Sequence, residues 1–119
     1  MYEVIFYENK KGKCPADEFL DNLQIKTRAK VEKWIEKLEE EGPNLARPFA
    51  DVVRGKIREL RVGFASNSYR FLYFFFGKKI IVTHGFFKKT DKIPLREIEM
   101  AKRIMQDFLQ RYQGGEIKL

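Results

Sequence analysis

The chain of 119 residues contains one cysteine and one histidine. Cys14 has no partner for an internal disulfide, as is typical of proteins in the reducing cytoplasm, where we expect this chain to act. Cys14 and His84 are too few for a Cys/His zinc site. No glycine-rich phosphate loop ending in Lys-Ser/Thr is present either. We therefore expect a function that uses neither a metal nor another cofactor.

Long hydrophobic runs are also missing. The longest, residues 71–76, is far shorter than the roughly 20 residues of a membrane span, and no basic-then-apolar leader opens the chain.

Acidic residues are scarce in one half of the chain only. Residues 54–119 hold six Asp/Glu and fifteen Lys/Arg, whereas residues 1–53 hold eleven Asp/Glu and nine Lys/Arg. The excess positive charge therefore lies wholly in the second half. This favours a nucleic acid partner, with a merely solvated basic face as the alternative.

Apolar periodicity in the first half predicts a strand and two helices. Residues 2–7 alternate as a strand does, and Pro15 suits the first turn of a short helix. Thr27 is the predicted N-cap of a second helix that ends before Gly42. Residues 44–55 carry scattered apolar residues and predict an irregular connection.

The second half predicts a meander of three strands followed by a helix. The strands cover approximately residues 56–64, 69–76 and 79–88, and the helix begins near Pro94 and ends at Gly114. The predicted order is β-α-α-β-β-β-α. This order is typical of a single α+β domain over residues 1–119, with a mainly antiparallel sheet packed with helices.

Nearly all charged residues of the meander are cationic. They are Lys56, Arg58, Arg61, Arg70, Lys78, Lys79, Lys88 and Lys89, with Glu59 as the one acid. Cleavage of RNA without a metal requires removal of the 2′-hydroxyl proton, stabilisation of a charged phosphorane and protonation of the leaving 5′-oxygen. Arginine suits the second task, and lysine or histidine suits proton transfer.

We therefore predict two sets of site residues. The catalytic set is Arg70, Lys88, Lys89 and His84, and the RNA-binding set is Arg61, Arg58 and Lys56. Each has a structural alternative: an ion pair with Glu59 for Arg61, protection of a strand edge for the two lysines, and a hydrogen-bonded core position for His84.

Several short motifs stand in register along the chain. They are Leu60-Arg61, Tyr69-Arg70, His84-Gly85-Phe86, Lys88-Lys89-Thr90, Lys92, Pro94, Glu97-Ile98, Ala101 and Arg103, preceded by Pro15-Ala16-Asp17-Glu18-Phe19-Leu20 and Leu23. This pattern resembles the HigB-like (phage Gp49-like) branch of the RelE/ParE toxin superfamily. The superfamily has the predicted element order.

The resemblance implies the toxin of a type II toxin–antitoxin system. Such RelE-like toxins are endoribonucleases (mRNA interferases) that cut mRNA on the translating ribosome, and a cognate antitoxin, here a helix-turn-helix DNA-binding protein, neutralises them. Arg70 would match the arginine that stabilises the scissile phosphate, and Lys89 or Lys88 the basic residue ending the last strand.

The identity of the general base stays open. Residues 90–95 lack the tyrosine or histidine that some relatives carry there, so His84 and Lys88 are the substitutes. Two other functions also stay open. One is a ParE-like inhibitor that binds DNA gyrase without catalysis, and the other is a phage-derived basic nucleic-acid-binding module.

Overall fold

The computed structural model describes residues 1–119 and contains three α-helices and five strands. In chain order they are β1 (Glu3–Phe6), α1 (Pro15–Asp21), α2 (Ile25–Glu41), a 3-10 turn (Gly42–Asn44), β2 (Ala50–Arg54), β3 (Ile57–Phe64), β4 (Asn67–Phe76), β5 (Lys79–Phe87) and α3 (Leu95–Gln113). The predicted α+β class and element order are confirmed. No helix combines the length and the apolar character needed to cross a bilayer.

Two local predictions differ from the structure. β2 lies inside the segment predicted to be irregular, where it pairs with β3 at the sheet edge. An edge strand of five residues with one buried side chain, Ala50, leaves little periodicity to detect. The predicted N-cap Thr27 is also wrong, because α2 begins at Ile25 with Gln24 as its N-cap and Thr27 is buried in the first turn.

The sheet has the strand order β1-β5-β4-β3-β2. β1 runs parallel to β5, and every other pair is antiparallel. Side chains alternate between the two faces of a strand, and β4 defines these faces. We call the face that carries Arg70, Leu72 and Phe74 the front face, and the face that carries Tyr69 and Phe71 the back face.

Helices cover both faces, but α3 covers the front face only in part. α1 and α2 pack on the back face through a core that includes Leu20, Val31, Phe71 and Tyr73. On the front face, α3 packs through Phe108 on Phe74 and Ile81, and through Ala101 on Ile57 and Leu72. The apolar contacts of α3 thus lie over the second half of β4. Arg70, in the first half of that strand, makes its polar contacts with strand residues only.

A polar cluster fixes the C-terminal part of α3 against the end of β1. The Tyr7 hydroxyl donates to Asp107, and Arg111 donates from Nε to Asp107 at 3.0 Å and from Nη2 to the Glu8 carbonyl at 2.6 Å. The hydrogen bond from Tyr7, together with Arg111, lowers the pKa of Asp107. Asp107 therefore stays ionised, and the position of α3 above the sheet is set at this end.

Candidate functional site

Two arginines face each other on the front face of the sheet. The antiparallel register places Arg61 of β3 directly opposite Arg70 of β4. Like charges directly opposite each other destabilise a sheet unless a countercharge offsets their repulsion. A pair of this kind therefore requires an acid beside it, or a function that needs concentrated positive charge.

Glu59 supplies the countercharge. It lies two residues before Arg61 on the same strand and so shares its face. Its Oε2 accepts a hydrogen bond from Arg61 Nη2 at 3.1 Å, and its Oε1 lies 2.8 Å from Arg70 Nε in an ion pair. The sequence indicated Glu59 only as an alternative partner for Arg61. Its bridging of both arginines depends on the β3–β4 register, which sequence reasoning did not use.

Arg70 is held at one end and free at the other. Its Nη1 donates to Ser68 Oγ at 2.6 Å and to the Tyr69 carbonyl at 3.1 Å. Its Nη2 donates no hydrogen bond within the chain, and the residue is 8% exposed. Burial lowers the pKa of Arg70 and Glu59 opposes this shift, yet a guanidinium stays charged near neutral pH. Arg70 therefore presents a fixed donor for an external anion.

Lys88 joins this group from the neighbouring strand. Its backbone N–H donates to the Ser68 carbonyl at 2.8 Å, which continues the β4–β5 ladder one residue past β5. Residues opposite each other in a ladder share a face, so the Lys88 side chain lies on the front face beside Ser68. The strand register thus places Arg61, Arg70 and Lys88 on the same face of the sheet. We call Arg61, Arg70, Lys88 and the bridging Glu59 the arginine site.

Lys89 belongs to a different surface. Strand alternation turns it away from Lys88, and its Nζ lies 5.8 Å from the ring centroid of Phe87. It lines an open cleft of about 650 Å³ together with Arg96 and Glu97. The two lysines, which the sequence presented as interchangeable, therefore serve two surfaces.

His84 is buried beneath the start of α3. A bulge at Thr83 shifts the pairing, so that Leu72 faces His84 while Tyr73 faces Val82, and His84 turns to the front face. Its Nε2 lies 3.1 Å from Glu97 Oε1 and its Nδ1 lies 2.9 Å from Thr83 Oγ1. Both ring nitrogens are thus engaged within the chain, and proton transfer by His84 would require one of these bonds to open.

Burial lowers the pKa of His84, although Glu97 opposes the shift. Burial therefore favours the neutral imidazole, with Nε2 facing the Glu97 carboxylate and Nδ1 beside the Thr83 hydroxyl, which itself donates to the Leu72 carbonyl at 3.2 Å. This arrangement fits the structural alternative for His84, a hydrogen-bonded core position. It also makes the stability of the fold depend on pH.

We expect the free energy of unfolding to fall as the pH is lowered from about 7.5 to about 5.5. Unfolded His84, with a pKa near 6.5, binds a proton that the folded chain resists, so His84 contributes at most about 1.4 kcal/mol per pH unit. Urea unfolding of the parent and of His84→Gln across this range measures the effect. The variant should have the flatter profile because it removes the titrating group, and equal slopes would contradict the assignment.

The other two predicted RNA-binding residues lie elsewhere. Arg58 faces Tyr73 on the back face, with its guanidinium carbon 5.9 Å from the Phe75 ring centroid. Lys56 lies in the turn between β2 and β3, and the two cations line a shallow hollow together. Alternation along β3 separates Arg58 from Arg61, so only Arg61 of this set lies beside Arg70.

A comparison with protein families gives a match over most of the chain. The model of the family described as "Phage derived protein Gp49-like (DUF891)" matches residues 18–106. That range includes Glu59, Arg61, Arg70 and both lysines after β5. No curated protein matches the chain.

Proposed function

The chain belongs to the phage-derived Gp49-like family, within the RelE/HigB-like toxin superfamily, and from this premise we propose that it is a metal-independent endoribonuclease. Gp49-like proteins are associated with the toxins of toxin–antitoxin systems. The observation that carries the proposal is Arg70, a buried guanidinium anchored by Glu59 and Ser68 that keeps Nη2 free on a face occupied by a second arginine. Such a group suits the binding of a phosphate.

The arginine site fits the electrostatic part of RNA cleavage. When the 2′-hydroxyl attacks the adjacent phosphate, negative charge accumulates on the non-bridging oxygens of the phosphorane. Cations that are already fixed stabilise this charge without reorganising during the reaction. Arg70 and Arg61 are fixed in this way because both are ion-paired to Glu59 on adjacent strands. We assign phosphorane stabilisation to Arg70, with Arg61 beside it.

Proton transfer is assigned to the other two members of the arginine site. Lys88 has an ammonium group on the same face and is the proposed donor to the leaving 5′-oxygen. Glu59 is the carboxylate in contact with Arg70, and it is the proposed acceptor for the 2′-hydroxyl proton while its contact with Arg70 Nε is kept. His84 is proposed instead to position Glu97 and the start of α3, and Lys89 to contact RNA outside the arginine site.

The proposed partners follow from the same function. They are mRNA held on the translating ribosome in the cytoplasm and a cognate antitoxin, proposed to be a helix-turn-helix DNA-binding protein that blocks the toxin. The net positive charge of +7 supports an RNA partner because cations that neutralise phosphates release counterions on binding.

We expect expression of the chain without antitoxin to arrest growth and to produce mRNAs cut within translated frames. Sequencing of RNA ends shortly after induction measures the cuts, and untranslated transcripts in the same cells serve as the internal control. Intact mRNA together with loss of control over DNA supercoiling would contradict the proposal and support the gyrase inhibitor.

A further inference from the structure

A cleft follows the free edge of β5, outside the arginine site. β1 pairs with β5 only as far as Val82, so the later part of β5 has no strand neighbour on that side. The cleft of about 650 Å³ wraps this edge between the start of α1 and the start of α3. Lys89, Arg96 and Phe87, the last residue of β5, line it.

A second hollow continues from this cleft. It measures about 400 Å³, and Pro15 and Met100 line both spaces. It adds two cations, Lys13 before α1 and Arg103 on α3. Arg96, Met100 and Arg103 recur at the spacing of one helix face. We call the continuous surface formed by Lys13, Lys89, Arg96 and Arg103 the edge groove.

Four cations of the edge groove outnumber the two acids that line it, Glu97 and Asp107. Glu97 contacts the neutral His84 at Nε2, 3.1 Å away, and lies 3.9 Å from Arg96 Nε, so it offsets one of the four positive charges. Asp107 accepts hydrogen bonds from Tyr7 and Arg111. Lys13 is 3.8 Å from Glu18, but both side chains are more than half exposed, and such surface pairs hold a lysine only weakly. The groove is therefore electropositive.

We propose that the edge groove binds the phosphates of nucleotides that flank the scissile phosphate of an RNA strand. The inference rests on the proposed function for the identity of this ligand. Lys88 and Lys89 are consecutive and point to opposite surfaces, so a strand crossing the end of β5 passes from the arginine site into the groove. Phe87 is 40% exposed beside Lys89 and supplies a ring on which a base can stack.

Charge reversal in the groove tests the proposal. The probe is a short single-stranded RNA with 2′-O-methyl groups, which cannot be cleaved and so isolates binding from catalysis. Arg96→Glu and Arg103→Glu are each expected to weaken its binding about five- to tenfold. Each should also reduce the slope of log affinity against log salt concentration by about 0.7 for every phosphate that the variant no longer neutralises. Fluorescence anisotropy over a range of salt concentrations measures both quantities.

Lys102→Glu is the matched control because it makes the same charge change on the same helix, on a residue that does not line the groove. Its effect on affinity should stay within about twofold. Groove variants that behave like Lys102→Glu would overturn the proposal, even if they weakened binding of an antitoxin. A parent chain that binds the uncleavable RNA through the groove but never cuts cleavable RNA would refute the proposed nuclease activity and leave the groove assignment standing.

Discussion

Arg70→Ala is expected to abolish growth arrest and to lower the rate of RNA cleavage by a factor of about 10² to 10³, the usual effect of removing one fixed donor from a developing oxyanion. The variant lacks the free Nη2 of Arg70, and Arg61 then remains as the one arginine of the arginine site. Rates on a translated reporter mRNA, with toxin at equal concentration, measure the change. Because the loss concerns the transition state, the affinity for uncleavable RNA should change much less than the rate.

The control variants separate this catalytic loss from loss of folding. Removing Arg70 leaves Glu59 buried with Arg61 as its nearest cation, which costs about 1–3 kcal/mol of stability. Arg54→Ala removes an exposed arginine of β2 and should leave toxicity intact. Arg70→Lys retains the charge but not the planar fork, so its cleavage rate should lie between those of the parent and the alanine variant. Full toxicity in a folded Arg70→Ala chain would refute the assigned role.

The periodicity of apolar residues was sufficient to predict most of the fold, because the long helices and strands each bury a continuous stripe of side chains. The heavy apolar content of β4 and the 3.6-residue pattern of α3 are strong signals, and both elements lie close to their predicted positions. β2 was missed because it lies at the sheet edge, where one face and one side of the strand meet solvent. A weak pattern of this kind does not distinguish a strand from an extended loop.

The arginine site depended on information that periodicity does not contain. The sequence indicated Arg70 because an arginine inside an apolar strand is costly to bury unless it is paired or functional. It indicated Arg61 and Lys88 only by their positive charge. Which of the other cations lie near them is set by strand parity and register, so Arg58 and Lys89 face other surfaces.

The position of His84 also could not be predicted from periodicity in the sequence. The bulge at Thr83 shifts the side chains beyond it by one position, and so places His84 beneath Glu97 instead of on the back face. In a bulge, one strand has an extra residue that has no partner on the neighbouring strand. It leaves no pattern in either strand alone.

Gly85→Ala is expected to lower the free energy of unfolding by about 1–3 kcal/mol, the usual cost of overpacking a core. A Cβ at this position would lie 2.5 Å from Phe71 Cε2 and 2.7 Å from Phe19 Cδ2, closer than atoms can approach. Phe71 is fully buried and cannot retreat, so α1, which carries Phe19, must shift. Urea unfolding with an unchanged m-value measures the loss.

Gly63→Ala is the matched control for Gly85→Ala. Gly63 also lies within a strand, and a Cβ there would meet only the Asn67 carbonyl at 4.0 Å, so its effect should stay within about 0.5 kcal/mol. Phe19→Ala removes one of the two clashing rings, and in the double variant it should recover part of the loss that Gly85→Ala causes. If the losses of unfolding free energy in Gly85→Ala and Phe19→Ala simply add in the double variant, the added Cβ strains Phe71 alone. Because Gly85 and Phe19 also line the edge groove, a shift of α1 should weaken binding of the uncleavable RNA while the arginine site on the front face keeps its contacts.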